Sequence, residues 1–152
     1  MYELDSDTKG VLCELDVQRA FINAGFNVSV PVKKSSRYDM IVDAYDHLFK
    51  VQCKHAHVSE DGNSFTLSLY STNKLQGKYY MHKYSESDVD LFATSLNGDV
   101  YVIPREVVGD KATATFRLEP PRNNQIVGIN NASDYKLNTV INQFMLDYND
   151  NV

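Results

Sequence analysis

Seventeen residues, Tyr38 to Lys54 (YDMIVDAYDHLFKVQCK), constrain the fold of this chain more than any other stretch. Apolar and polar residues alternate with a period of two on either side of Tyr45-Asp46, the pattern of two half-buried strands joined by a tight turn. Folding about that centre sets Asp39 opposite Gln52, Ile41 opposite Lys50 and Asp43 opposite Leu48. One face then carries Tyr38, Met40, Val42, Ala44, Phe49, Val51 and Cys53, all suited to a core. The other carries Asp39, Asp43, Lys50, Gln52 and Lys54, with Ile41 and Leu48 among them. A slip of one residue would bury the charges and expose the apolar set, so the register is strongly specified.

Elements on either side follow from the same reasoning. Apolar residues at helical spacing from Ser6 to Ala24, stopped by Gly25, predict an amphipathic helix. Phe26 to Val32 is rich in strand formers, and Lys33 to Arg37 (KKSSR) is a polar loop. Phe65 to Ser71 reads as a third strand of the hairpin's sheet, followed by a basic and aromatic segment from Gln76 to Tyr84. Leu91–Leu96 and Val100–Ile103 form a strand pair across Asn97-Gly98, Pro104 opens a helical turn over Arg105–Val108, and Ala112–Leu118 alternates as another strand. Tyr135, Leu137, Val140, Ile141, Phe144 and Met145 predict a final helix that frays into YNDNV. The fold class is α+β: a mixed sheet flanked by helices, in one domain spanning 1–152.

Composition bounds the rest. A chain of 152 residues with 43% hydrophobic and 23% charged positions suits a single core. No apolar run is long enough for a membrane span and the N-terminus lacks the pattern of a signal peptide. Two cysteines, Cys13 and Cys53, are too few and too far apart for a zinc pair, so a reduced cytoplasmic (intracellular) setting is expected and both read as buried hydrophobes. The net charge of −5 argues against a uniformly basic polyanion binder but not against basic residues gathered on one face.

The polar face of the hairpin carries the chemistry. Asp39 and Gln52 offer two oxygens across neighbouring strands, and hydrolysis of a phosphodiester needs a divalent cation that Mg²⁺ or Mn²⁺ supplies on oxygen ligands of this kind. Lys54 shares their face, where an ammonium can orient water or neutralise developing charge. The backbone carbonyl of Cys53 stands between them as a further ligand. A solvated sheet face, with Lys54 and Asp39 as a surface ion pair of roughly 0.2–1 kcal/mol, is the plain alternative. On these residues alone the plain alternative is the default, and only Glu14 and the family pattern below tip the reading towards chemistry.

Glu14 on the first helix, Asp39 at the end of a polar loop, and Gln52-Cys53-Lys54 on the next strand resemble the PD-(D/E)XK nucleases, with their restriction-endonuclease-like core. Tyr38 stands where that family has its proline, and Gln52 where it has its second acid. The Gln-X-Lys variant is similar to one in the homing endonuclease branch encoded by cyanobacterial group I introns. The resemblance covers roughly the first 100 residues and implies a catalytic core over about 6–104. It implies catalytic roles for Glu14, Asp39, Gln52 and Lys54, with metal held by Glu14, Asp39, Gln52 and Cys53. It also implies sequence-specific cleavage of double-stranded DNA by a homo-oligomer, a dimer or tetramer, because cutting both strands takes two centres. The segment past residue 104 is left for oligomerisation or DNA contacts. A junction-selective resolvase is the nearest alternative, and a catalytically silent DNA- or protein-binding module is the second, with Gln52 as its lesion.

Candidate DNA contacts are the cations. Lys33, Lys34 and Arg37 precede Asp39; Lys74, Lys78, His82 and Lys83 alternate with Tyr79, Tyr80 and Tyr84; Ser71 and Thr72 close the preceding strand. Arg117 and Arg122 are weaker candidates. His55 and His57 lack the acidic or cysteine partners of a zinc site and read as surface or phosphate-contacting residues. Asp88 and Asp90 read as strand-opening residues rather than a metal pair.

Overall fold

A computed structural model of the chain describes residues 2–120, 123 and 127–147. Arg122 and the YNDNV tail lie outside the described residues. The first helix, α1 (Ser6–Asn23), starts where the Asp5 carboxylate accepts the Thr8 N–H at 2.7 Å and ends before Gly25, whose φ of 94° suits a residue without a side chain. Three strands follow: β1 (Asn27–Ser29), β2 (Met40–Ala44) and β3 (His47–Cys53). The β2–β3 ladder pairs Ile41 with Lys50 and Asp43 with Leu48, the register expected. Its turn residues Tyr45 and Asp46 have φ of 51° and 62°, the tight mirror-image turn that matches strand twist.

Strand β4 (His57–Val58) and β5 (Ser64–Ser68) lead to a two-stranded ribbon, β6 (Tyr70–Leu75) and β7 (Lys78–Lys83). Next come β8 (Leu91–Leu96), β9 (Asp99–Pro104), the short α2 (Arg105–Val108), β10 (Thr113–Arg117) and β11 (Asn130–Asn131). A 3₁₀ turn (Ala132–Tyr135), α3 (Leu137–Val140) and a π turn (Ile141–Met145) end the described chain.

The central sheet runs β1-β2-β3-β8-β9, with β3 and β8 parallel and its other neighbours antiparallel. A second sheet runs β11-β10-β5-β4. The stretch expected as one third strand, Phe65 to Ser71, therefore divides: its first part joins the second sheet, and from Tyr70 the chain enters the ribbon. Leu69 is buried and its N–H is taken by Ala112 rather than by the hairpin, while the free edge of β3 is filled by β8.

The one core expected is two apolar clusters, one on each side of the central sheet. On one side Cys13, Val17 and Phe21 of α1 pack with Met40, Val42, Phe49, Val51 and Leu91. On the other, Phe65, Leu67, Ala114 and Phe116 of the second sheet pack with Phe92, Ile103, Leu69 and Tyr84. Neighbours Leu91 and Phe92, like Val102 and Ile103, enter opposite clusters, so β8 and β9 are apolar on both faces. The segment past residue 104 supplies both cores: Phe116 and Ala132 one, Leu137, Val140, Ile141 and Met145 the other. Among the described residues no helix is long and apolar enough to cross a membrane.

Candidate active site

The site lies where β2 begins and β3 ends. Asp39 comes just before β2; its N–H reaches Val51 O at 2.8 Å, and its Oδ2 accepts the Cys53 N–H at 2.8 Å. The hairpin register is what puts that carboxylate against the Gln52–Lys54 end of β3. Gln52 donates from its amide nitrogen to Cys53 O at 3.3 Å. Lys54 N binds Ala93 O at 2.8 Å, so the parallel strand β8 fixes the backbone from which the lysine side chain departs.

Glu14 arrives from α1. Cys13, one residue earlier, faces the core, where its thiol lies against that of Cys53 and donates to Lys54 O at 3.6 Å. Asp16, two residues after Glu14, accepts from Ser95 Oγ at 2.9 Å. These two ties bind α1 to β3 and β8, and Glu14 is carried to the rim of the same space. The thiol contact with Cys53 brings Cys13 down to about 7, while Cys53 is pushed well up by that contact and by burial. Both cysteines are buried and free, as expected.

Electrostatics bind the acids into one group. Burial raises the Asp39 carboxyl above its ordinary value, and the Cys53 N–H bond and the Lys54 charge only partly offset this. Glu14 is raised first by burial and then by the charge of Asp39. The Asp39 carboxyl, the Glu14 carboxyl that its charge raises, the Gln52 amide and the Cys53 carbonyl are all hard oxygen donors. Such a set fits Mg²⁺ or Mn²⁺, and raised carboxyls are relieved by a bound cation. Two acids fall short of a three-carboxylate or three-histidine site, and among the described residues no cluster of three or more His, Cys, Asp or Glu side chains exists.

Lys54 Nζ donates to Tyr70 O and to Tyr84 Oη, each at 3.0 Å, and sits 4.7 Å from the centre of the Tyr84 ring. Sequence reasoning missed Tyr84 as part of the site. Its place in an exposed-looking run of lysines and tyrosines suggested surface, yet it is buried because the chain turns inward after Lys83.

A family model for PD-(D/E)XK endonucleases matches residues 4–138. The chain belongs to the PD-(D/E)XK endonuclease family. A solved bacterial homing endonuclease shares the fold, with a TM-score of 0.76 at 18% identity over 97% of this chain and 99% of that one. No curated protein matches. In the reading of the sequence given above, Asp39 takes the place of the aspartate in the family's name, Gln52 that of the second acid and Lys54 that of the lysine. Enzymes of this family generally use divalent metal ions, and the donor set around Asp39 suits them.

The remaining candidates divide. Lys33 and Lys34 are exposed in the loop ahead of Asp39. Arg37 is spent internally: it donates to Ser71 Oγ at 2.8 Å and Lys83 O at 2.9 Å, pairs with Asp88 at 3.5 Å and stacks on Tyr84 at 4.1 Å. Ser71 is occupied by the same contact. Lys74, Lys78, His82 and Lys83 are exposed along the ribbon, which holds no acid from residue 70 to 83. Thr72 is exposed on the ribbon as well. His55 and His57 meet edge to face at 5.0 Å on the surface, with no third ligand beside them. Asp88 and Asp90 are structural: one accepts Ser85 N–H at 2.9 Å, the other Lys50 N–H at 2.8 Å.

Proposed function

We propose that this chain is a metal-dependent, sequence-specific double-strand DNA endonuclease of the homing type, working as a homo-oligomer. One observation supports it most: Glu14, Asp39, Gln52 and Lys54, from α1, the start of β2 and the end of β3, meet at one end of the central sheet. Asp39, Glu14, the Gln52 oxygen and Cys53 O would hold the cation. When bound, that ion supplies Lewis-acid polarisation of the phosphate and a more acidic water.

The protein's own groups do the rest. Asp39, tied to Cys53 N–H, keeps one oxygen in a fixed direction. Lys54 brings a positive charge to the same space, where it offsets the charge that builds on the phosphate oxygens and orients the attacking water. The basic ribbon and the Lys33–Lys34 loop flank this end and hold the DNA backbone by charge. Because a subunit has one such centre, breaking both strands calls for at least two subunits.

Plasmid, a target library and a four-way junction, each incubated with Mg²⁺ or with EDTA, test the reading. Metal-dependent double-strand cleavage is expected, with Lys54→Ala abolishing cutting while leaving binding largely intact. Cutting of the junction alone would make the protein a resolvase. Tight binding with no cleavage under any divalent ion would make it a silent binding module, with Gln52 as the reason.

A further inference from the structure

A lysine on a four-carbon stem gives up much rotamer freedom when held in one place, so something must hold it. Here both acceptors come from the base of one element. Tyr70 is the first residue of β6 and Tyr84 the residue after β7, and each lies 3.0 Å from Lys54 Nζ. Arg37 grips the same base, bonding Ser71 of β6 and the carbonyl of Lys83, the last residue of β7, while its guanidinium lies 4.1 Å from the Tyr84 ring centre. Tyr84 itself is fixed: its carbonyl accepts from buried Arg105 Nε at 3.0 Å, and its ring meets Phe92 edge to face at 5.6 Å. What projects beyond this base is a ribbon that pairs with no other strand among the described residues. All of β7 is exposed, including Tyr79, Tyr80 and Met81. A lone pair of strands is marginally stable in water, and this one is basic and tyrosine-rich, so a DNA backbone is the surface that steadies it.

We propose that Tyr84 is the positioning residue for Lys54, and that through Tyr84 and the Tyr70 carbonyl the seating of the β6–β7 ribbon on DNA sets the orientation of that lysine. This rests on the nuclease reading above. It makes recognition and chemistry one mechanical unit: a ribbon poorly seated on a wrong sequence moves the two acceptors apart and leaves the ammonium misdirected, which lowers the cleavage rate beyond the loss in affinity.

The substitution that isolates the hydroxyl is Tyr84→Phe, since the ring, the Arg37 stack and the Phe92 contact survive it. Single-turnover cleavage should slow about tenfold, the cost of one hydrogen bond to a charged group. DNA affinity measured with Ca²⁺ in place of Mg²⁺ should stay unchanged. A second readout needs no cleavage. Competitive acetylation with acetic anhydride, read by peptide mass spectrometry, should find Lys54 shielded relative to Lys33, more shielded with DNA bound, and several-fold more reactive in Tyr84→Phe. Unchanged Lys54 labelling in Tyr84→Phe, labelling indifferent to DNA, or an unchanged single-turnover rate in Tyr84→Phe would each overturn the proposal. Should the wild type cut nothing, the nuclease reading fails, and the labelling still decides whether Tyr84 and the ribbon hold Lys54.

Discussion

Replacing Asp39 by Asn is the perturbation that most directly probes whether the raised carboxyls form a cation site. Asparagine keeps the volume and leaves an oxygen for the Cys53 N–H that Asp39 Oδ2 accepts at 2.8 Å, so the change removes charge without opening a cavity. In the metal-free chain both Asp39 and Glu14 titrate above their ordinary values. Between the ordinary and the raised values the folded chain holds protons that the unfolded chain has already released. Its stability therefore falls as pH climbs through that interval and is level above it. At neutral pH in EDTA, Asp39→Asn relieves a desolvated charge whose Oδ1 accepts no hydrogen bond among the described residues, a gain of up to about 1–3 kcal/mol. Free Mg²⁺ at a hundred times its Kd stabilises the wild type by about 2.7 kcal/mol. For a chain of this size each kcal/mol is worth about 2–4 °C, so wild type should gain about 5–11 °C on adding Mg²⁺ and the variant much less. Differential scanning calorimetry across pH, with EDTA or Mg²⁺, measures all four arms. Equal Mg²⁺ shifts in the two proteins, or a variant less stable than wild type in EDTA, would refute the reasoning.

Gln52→Glu adds a third acid to the same space. It should lower the melting temperature in EDTA and enlarge the Mg²⁺ shift; an unchanged melting temperature in EDTA would place Gln52 away from the carboxyls. Replacing Lys74, Lys78 and Lys83 together by Ala should weaken DNA binding and flatten its dependence on log salt by about 0.9 for each phosphate left without its lysine, read by fluorescence anisotropy across a salt series. Phe49→Ala empties a fully buried site between His47 and Phe144 and should cost about 3–5 kcal/mol in urea unfolding, whether or not DNA or metal is bound.

The hairpin was legible because period-two patterning, a turn centre and the segregation of charge to one face all point to one register. Asp39, Gln52 and Lys54 came with it, since a register fixes cross-strand neighbours. Glu14 could be picked out only through the family resemblance: nothing in a helical pattern says which sheet end a helix rim will meet, and here the Cys13 and Asp16 contacts decide it. Alternation also fails to name a strand's partner. Phe65 and Leu67 alternate as well in a second sheet as they would beside β3, and only the burial of Leu69 against Ala112 shows where the chain went. Tyr84 was hidden for a related reason. A tyrosine after a run of exposed cations has no local mark of burial; its inward turn is set by Arg37, Lys54, Phe92 and Arg105, all distant in sequence.

The glutamine at position 52 has a physical reading that does not require loss of function. The charge of Asp39 already raises Glu14 in a partly desolvated space, and a third acid there would raise the cost further in the metal-free chain. On the proposed reading an amide would supply a ligand oxygen without that charge, while its nitrogen donates to Cys53 O at 3.3 Å. The charge sum also changes sign. Glu14 and Asp39 give −2 and Lys54 gives +1, so the centre stands at −1 before a cation binds and at +1 after a divalent one does. With glutamate at 52 the same sum ends at 0. On the proposed reading, a centre that becomes positive on binding its ion would attract a phosphodiester only when loaded, while the exposed lysines of the ribbon and of the Lys33–Lys34 loop carry positive charge beforehand.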